Sequence, residues 1–191
     1  PHPTGALGSL IDGFTNNAMA IYEMGPGAAA IEFFMVNYLL EKVGWTMMPT
    51  QLDQRLTYQH GSGILTHGGS LANMTALLTA RNSFDKTLRE NGSSRDLVVL
   101  ASADSHYSIS KACGIIGIGE NNVVQLPTCR DGRIITDKLG PLIKKTLDQG
   151  KRIVALVANA CATGTGLYDP IDEIADICDS HNLWFHVDGA H

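Results

Sequence analysis

From residue 97 onward the chain repeats one rhythm, and that rhythm constrains the fold more than any other feature. A short apolar run is followed by a polar turn, then by a segment whose apolar residues recur at helical spacing. Residues 97–100, 122–126, 153–157 and 183–187 read as strands, and 107–115, 136–147 and 171–180 as the helices between them, with Thr136 as an N-cap. Apolar runs without polar alternation belong to strands buried on both faces, and strands separated by helices pair in parallel. The expected class is α/β, a mostly parallel sheet with helices on both faces.

Upstream, residues 26–43 carry apolar side chains on a helical period, with Pro26 suited to a first turn. A second helix is expected to open at Gly69-Ser70 and run to Phe84, with Leu71, Met74, Leu77 and Leu78 as its buried stripe, and Asn91-Gly92-Ser93-Ser94 as a loop. Hydrophobic residues at 44% and charged residues at 17% provide for a packed core rather than disorder. The net charge of −5 argues against a nucleic-acid or anionic-membrane partner. No apolar run approaches the roughly 20 residues of a membrane span. Cys113, Cys129, Cys161 and Cys178 are widely spaced with no C-x-x-C pair, which favours reduced thiols in a cytoplasmic protein over disulfides or zinc. The first residue is Pro1 and the last, His191, directly follows a strand-like segment; the expectation is an excerpt of a longer polypeptide.

In open α/β sheets, ligands bind beyond the carboxyl ends of the strands. The polar residues expected there are Asp104-Ser105-His106, Ala158 through Gly164, and Asp188-Gly189-Ala190-His191; Thr66-His67-Gly68-Gly69-Ser70 leads into a helix at the same edge. Gly69 and Ser70 suit an anion at a helix N-terminus, or simply a turn and cap. His106 is either a capping or core histidine, or a flat ring that stacks on a ligand or moves a proton. Asp188 ends an apolar strand, where a buried carboxylate either caps the next turn or pairs with a cation, such as a protonated ring nitrogen or a metal. His186 falls on the face of Asp188 one pair back, in the core, and with His191 makes only a weak metal cluster. P-loop, G-x-G-x-x-G and G-x-S-x-G patterns are absent, which lowers the nucleotide and serine-hydrolase readings.

The four segments in order are more specific than any one of them. Gly68-Gly69-Ser70-Leu71-Ala72-Asn73, Asp104-Ser105-His106-Tyr107-Ser108, Ala162-Thr163-Gly164-Thr165-Gly166-Leu167-Tyr168-Asp169-Pro170 and Trp184-Phe185-His186-Val187-Asp188-Gly189-Ala190 together resemble the group II pyridoxal-phosphate-dependent amino-acid decarboxylases. That family includes glutamate, aromatic amino-acid, histidine, cysteine-sulfinate and 2,4-diaminobutyrate decarboxylases. The resemblance runs from about Glu23 to the last residue and implies the aspartate-aminotransferase-like fold, fold type I. Residues 1–50 are then an N-terminal helical segment and residues 51–191 the front part of the large cofactor domain, which is incomplete in this chain.

By the same resemblance Gly69 and Ser70 form the phosphate turn, His106 stacks on the pyridine ring of pyridoxal 5′-phosphate, and Ala190 packs on its other face. Asp188 pairs with the ring nitrogen and Thr163 hydrogen-bonds near the ring substituents; His106 and Asp188 are the expected catalytic residues, with no metal. Cys161-Ala162-Thr163 stands where the family often has Gly-Thr-Thr. The implied activity is loss of the α-carboxylate of an amino acid as carbon dioxide, in a homodimer with its active site at the subunit interface. The alternatives are another fold-type-I reaction, such as transamination or desulfuration, or an inactive paralogue or fragment. None of the seven lysines is placed to hold the cofactor covalently, so the resemblance implies a Schiff-base lysine beyond His191.

Overall fold

The computed structural model describes residues 2–19, 21–50, 55, 57 and 59–190. The chain forms two compact units, Pro1–Leu65 and Thr66–His191.

The first unit holds α1 (Pro3–Thr15) and α2 (Pro26–Lys42). Pro26 opens α2 as expected, because its missing N–H falls where a helix has no acceptor to offer. Val36, Asn37 and Leu40 form the buried face of α2, and the Asn37 side chain is tied to both polar backbone groups of Met48. Gly5, Gly8 and Gly13 weaken the helix propensity of α1, and it buries no residue.

The second unit runs α3 (Gly69–Phe84), α4 (Leu88–Asn91), β1 (Leu97–Ser102), α5 (Ser108–Ile115), β2 (Val123–Leu126), α6 (Leu139–Asp148), β3 (Arg152–Asn159), α7 (Ile171–Ser180) and β4 (Trp184–Asp188). The strands lie in the order β2-β1-β3-β4, all parallel, as the strand–helix alternation predicts. One face packs Val99, Ala101 and Val157 against Leu77 and Ala80 of α3 and Ile109 and Ala112 of α5. The other packs Val98, Leu100 and Leu156 against Leu139 and Ile143 of α6 and Ile174 of α7. Between Val98 and Val99 the register jumps from Ile153 to Ala155, so Val154 is the extra residue of a bulge. That is why Val154 and Ala155, although adjacent, both join the first face.

Two expectations need correction. Thr136 does not cap a helix: it opens a 3-10 turn, its hydroxyl donates to Glu173 Oε2, and α6 proper starts at Leu139. The buried stripe of α3 is Asn73, Leu77 and Ala80 with Met74 beside it, while Leu71 and Leu78 are exposed. The helix is turned so that an asparagine faces the sheet.

Candidate functional site

The carboxyl ends of β1, β3 and β4 and the N-terminus of α3 converge in the second unit on a cavity of about 210 Å³. It brings together Gly69, Ser70, His106, Thr163, Asp188 and Ala190, the six residues singled out from the sequence, and adds Asn73 and Cys161. A larger cavity, about 410 Å³, opens at the other end of the strands beside Phe84, Ile153 and Trp184, but no titratable side chain lines it. The smaller cavity is the one where titratable side chains gather at the carboxyl ends of the strands.

Each wall has a local cause. Gly68 sits at φ 97°, a conformation that a side chain would strain, and this turn delivers the chain into α3 with no side-chain cap on its first N–H groups. Those N–H groups, the helix dipole and the exposed Ser70 hydroxyl suit an anion. His106 lies between β1 and α5, with Nδ1 2.8 Å from Ser108 Oγ and 3.3 Å from the Ser108 backbone nitrogen. The loop bearing Cys161 and Thr163 is held at both ends: Ala160 N–H donates to the Asp188 carbonyl at 2.8 Å, and the buried Asp169 carboxylate accepts the Asn159 N–H at 2.7 Å. Asp169 also accepts Asn159 Nδ2 at 3.0 Å and the Ile134 N–H at 2.9 Å, so it locks the loop to β3 and to the segment before α6.

Asp188 is 8% exposed. Its Oδ2 accepts Asn73 Nδ2 at 2.9 Å and its Oδ1 accepts the Ala190 N–H at 3.3 Å. Among the described residues no lysine, arginine or histidine forms an ion pair with it. His186 is half-buried rather than simply a core residue, and Nε2 lies 2.9 Å from Asn73 Oδ1. Burial pushes its pKa below the usual histidine value, against the pull of Asp188. Among the described residues no lysine lines the cavity, and Lys111 is exposed on α5. His191 lies outside the described residues.

Asn73 and Ser108 lie within the sequence motifs, which by themselves assign neither a role. The signal for Asn73 was present: a polar residue inside the apolar period of α3.

The model of the pyridoxal-dependent decarboxylase conserved domain matches residues 3–191. The chain belongs to this family. Human acidic amino acid decarboxylase GADL1 is 33% identical over 177 residues, covering 92% of this chain and 32% of the relative, and the Bos taurus protein is 32% identical over the same share. The crystal structure of mouse CSAD in apo form superposes with a TM-score of 0.86 at 29% identity, covering 98% of this chain and 37% of that one. The glutamate decarboxylase domain of the diaminobutyrate-pyruvate transaminase and L-2,4-diaminobutyrate decarboxylase from Vibrio parahaemolyticus gives 0.88 at 27%, covering 100% and 41%. The chain thus spans about a third of the length of the curated relatives it matches. The fold is fold type I, as the four segments implied.

The cofactor of the family is pyridoxal 5′-phosphate, and the donor set of this cavity fits it. A phosphate finds uncapped N–H groups and a hydroxyl; a cationic ring nitrogen finds a buried carboxylate with acceptor capacity left over. A β-carbon on Gly69 would lie 2.5 Å from Ala190 Cβ, so only glycine lets the α3 turn and the end of β4 approach this closely.

Proposed function

We propose that this chain is the front part of the cofactor domain of an enzyme that decarboxylates an L-amino acid to its amine. Residues 1–50 are its N-terminal helical segment and 51–191 the front of its large domain; the enzyme is a cytoplasmic homodimer with the active site at the subunit interface. The observation that carries the reading is the buried Asp188 carboxylate, which has no cationic partner among the described residues and stands across one small cavity from an uncapped helix N-terminus.

In this reading Gly69, Ser70 and the first turn of α3 hold the phosphate of pyridoxal phosphate. His106 stacks on the ring, Ala190 packs on the opposite face, Thr163 hydrogen-bonds near the ring substituents, and Asp188 keeps the ring nitrogen protonated. When bound, the cofactor supplies an electron-withdrawing ring that accepts the electron pair left as carbon dioxide departs. Asp188 makes that acceptance favourable because its charge is desolvated and fixed by Asn73. The names of the curated relatives support an acidic amino acid as the first substrate to try.

In the complete polypeptide, Asp188→Asn should lower carbon dioxide release at least about a hundredfold, or about 2.7 kcal/mol. Carbon dioxide and keto-acid release should be measured together, since keto acid as the main product would mean transamination. Near-wild-type turnover by a fully loaded variant would sink the assignment of Asp188.

A further inference from the structure

Five polar side chains form one continuous chain beneath the cavity, and chemistry fixes the direction of each link. Asp188 Oδ2, on a carboxylate, only accepts, so the group 2.9 Å from it must be the Asn73 NH₂; the flipped amide would set oxygen against oxygen. Asn73 Oδ1 therefore faces His186, and His186 Nε2, 2.9 Å away, must carry a proton. The second Asn73 N–H donates to Ser108 Oγ at 3.0 Å. With its oxygen accepting from Asn73, Ser108 has its own hydroxyl proton for His106 Nδ1 at 2.8 Å. The Ser108 backbone N–H, which has no alternative polarity, points at the same nitrogen at 3.3 Å. Two donors aimed at Nδ1 leave it unprotonated and put the proton of neutral His106 on Nε2.

We propose that Asn73 is a positioning residue: through one amide it holds the Asp188 carboxylate, and through Ser108 it sets the tautomer of His106. The proposal deepens the reading given under the proposed function and rests on it for its consequence. The residue expected to hold the ring nitrogen and the residue expected to stack on the ring are oriented by the same side chain. Asn73 is 3% exposed, and both of its N–H groups and its oxygen are engaged, so it has no freedom to reorient without breaking a link.

The test uses the complete polypeptide, labelled with ¹⁵N in histidine and prepared without cofactor. The His106 nitrogens are assigned by their loss in His106→Gln. Wild type should show Nδ1 unprotonated and Nε2 protonated. In Asn73→Asp, which keeps the volume, the Ser108 hydroxyl turns toward the new carboxylate, and the Nδ1 signal should shift as it loses that donor. Ser108→Ala breaks only the His106 arm and should shift Nδ1 while leaving the His186 signals in place. Separately, cofactor titrated by its visible absorbance should bind Asn73→Asp at least about tenfold more weakly than wild type, a difference of about 1.4 kcal/mol. A protonated Nδ1 in wild type, or His106 signals identical in wild type and Asn73→Asp, overturns the proposal. Failure of wild type to bind pyridoxal phosphate overturns the proposed function instead, and leaves the cofactor-free tautomer result standing.

Discussion

The close approach of α3 to the end of β4 makes Gly69→Ala a sharp test of how the cavity is built. Gly69 opens a helix outside the left-handed region, so its backbone conformation accepts alanine, and helix propensity favours the change by up to about 1 kcal/mol. Packing opposes it. The added Cβ would stand 2.5 Å from Ala190 Cβ and 3.9 Å from Ala190 Cα, whereas carbons at rest sit about 3.5–4.0 Å apart. Neither methyl has a torsion that could carry it away, so the backbone must retreat by about 1 Å, either in the first turn of α3 or at Gly189-Ala190. Overpacking of this kind costs about 1–3 kcal/mol, and the net destabilisation should be about 1–2 kcal/mol. The retreat also separates the proposed phosphate turn from Asp188, so cofactor affinity should fall with stability. Ala190→Gly removes the opposing methyl, and the double variant should recover most of both losses, with a coupling of about 1 kcal/mol or more. Urea midpoints at constant slope measure the first loss, and absorbance titration with pyridoxal phosphate measures the second. If the single effects simply add, the two residues do not touch and the reasoning fails.

Three further outcomes follow from buried polar groups and thiols. Asp169→Ala should cost at least about 3 kcal/mol in urea unfolding, because it orphans three buried N–H donors at about 1–3 kcal/mol each; a loss below about 1 kcal/mol would contradict the clamp. Alkylation followed by mass spectrometry should find exposed Cys129 first and half-buried Cys161 next. Bound pyridoxal phosphate should slow only Cys161, while Cys113 and Cys178, pushed by burial up to about 12 and about 11, react on unfolding; rapid labelling of Cys113 in the folded protein would count against the core described. The pKa of His186 is lowered by burial, so between its folded value and its ordinary value of 6.5 the unfolded chain binds more protons. Its contribution to stability is therefore present above pH 6.5 and lost as pH falls through that window, and His186→Gln should flatten this part of the stability–pH curve.

What was legible in the sequence follows from where each residue sits along the chain. His106, Thr163, Asp188 and the Gly69-Ser70 turn all lie next to the end of a strand or the start of a helix, and a parallel sheet carries all such ends to one edge. Local periodicity is then enough to gather them. Asn73 lies inside a helix, where the period marks it as a fault in an apolar stripe and does not say which way the helix is turned. Asp169 is 35 residues from Ile134 and 10 from Asn159, and no local pattern links it to either. The Thr136 hydroxyl is taken by Glu173, 37 residues away, which outweighs the local preference for capping. Pairings at long sequence separation are what the sequence alone did not reveal.

The same geometry explains why an asparagine belongs on the buried face of α3. Residues two apart on a strand share a face, so His186 and Asp188 both look toward one side of β4, and register sets them beside Val157 and Asn159. Asn73 meets both of them, one through each end of its amide. A leucine at this position would fit the apolar period that runs through Leu77 and Ala80, and would bury more carbon. It would also take from Asp188 Oδ2, His186 Nε2 and Ser108 Oγ the partner that Asn73 gives each, at about 1–3 kcal/mol apiece and more for the carboxylate. The deficit exceeds the roughly 1.5–3 kcal/mol that burying one more leucine side chain supplies. The polar fault in the stripe is therefore what the sheet edge requires once Asp188 is placed there: the helix is turned to bring Asn73 inward, and Leu71 and Leu78 are left exposed as a consequence.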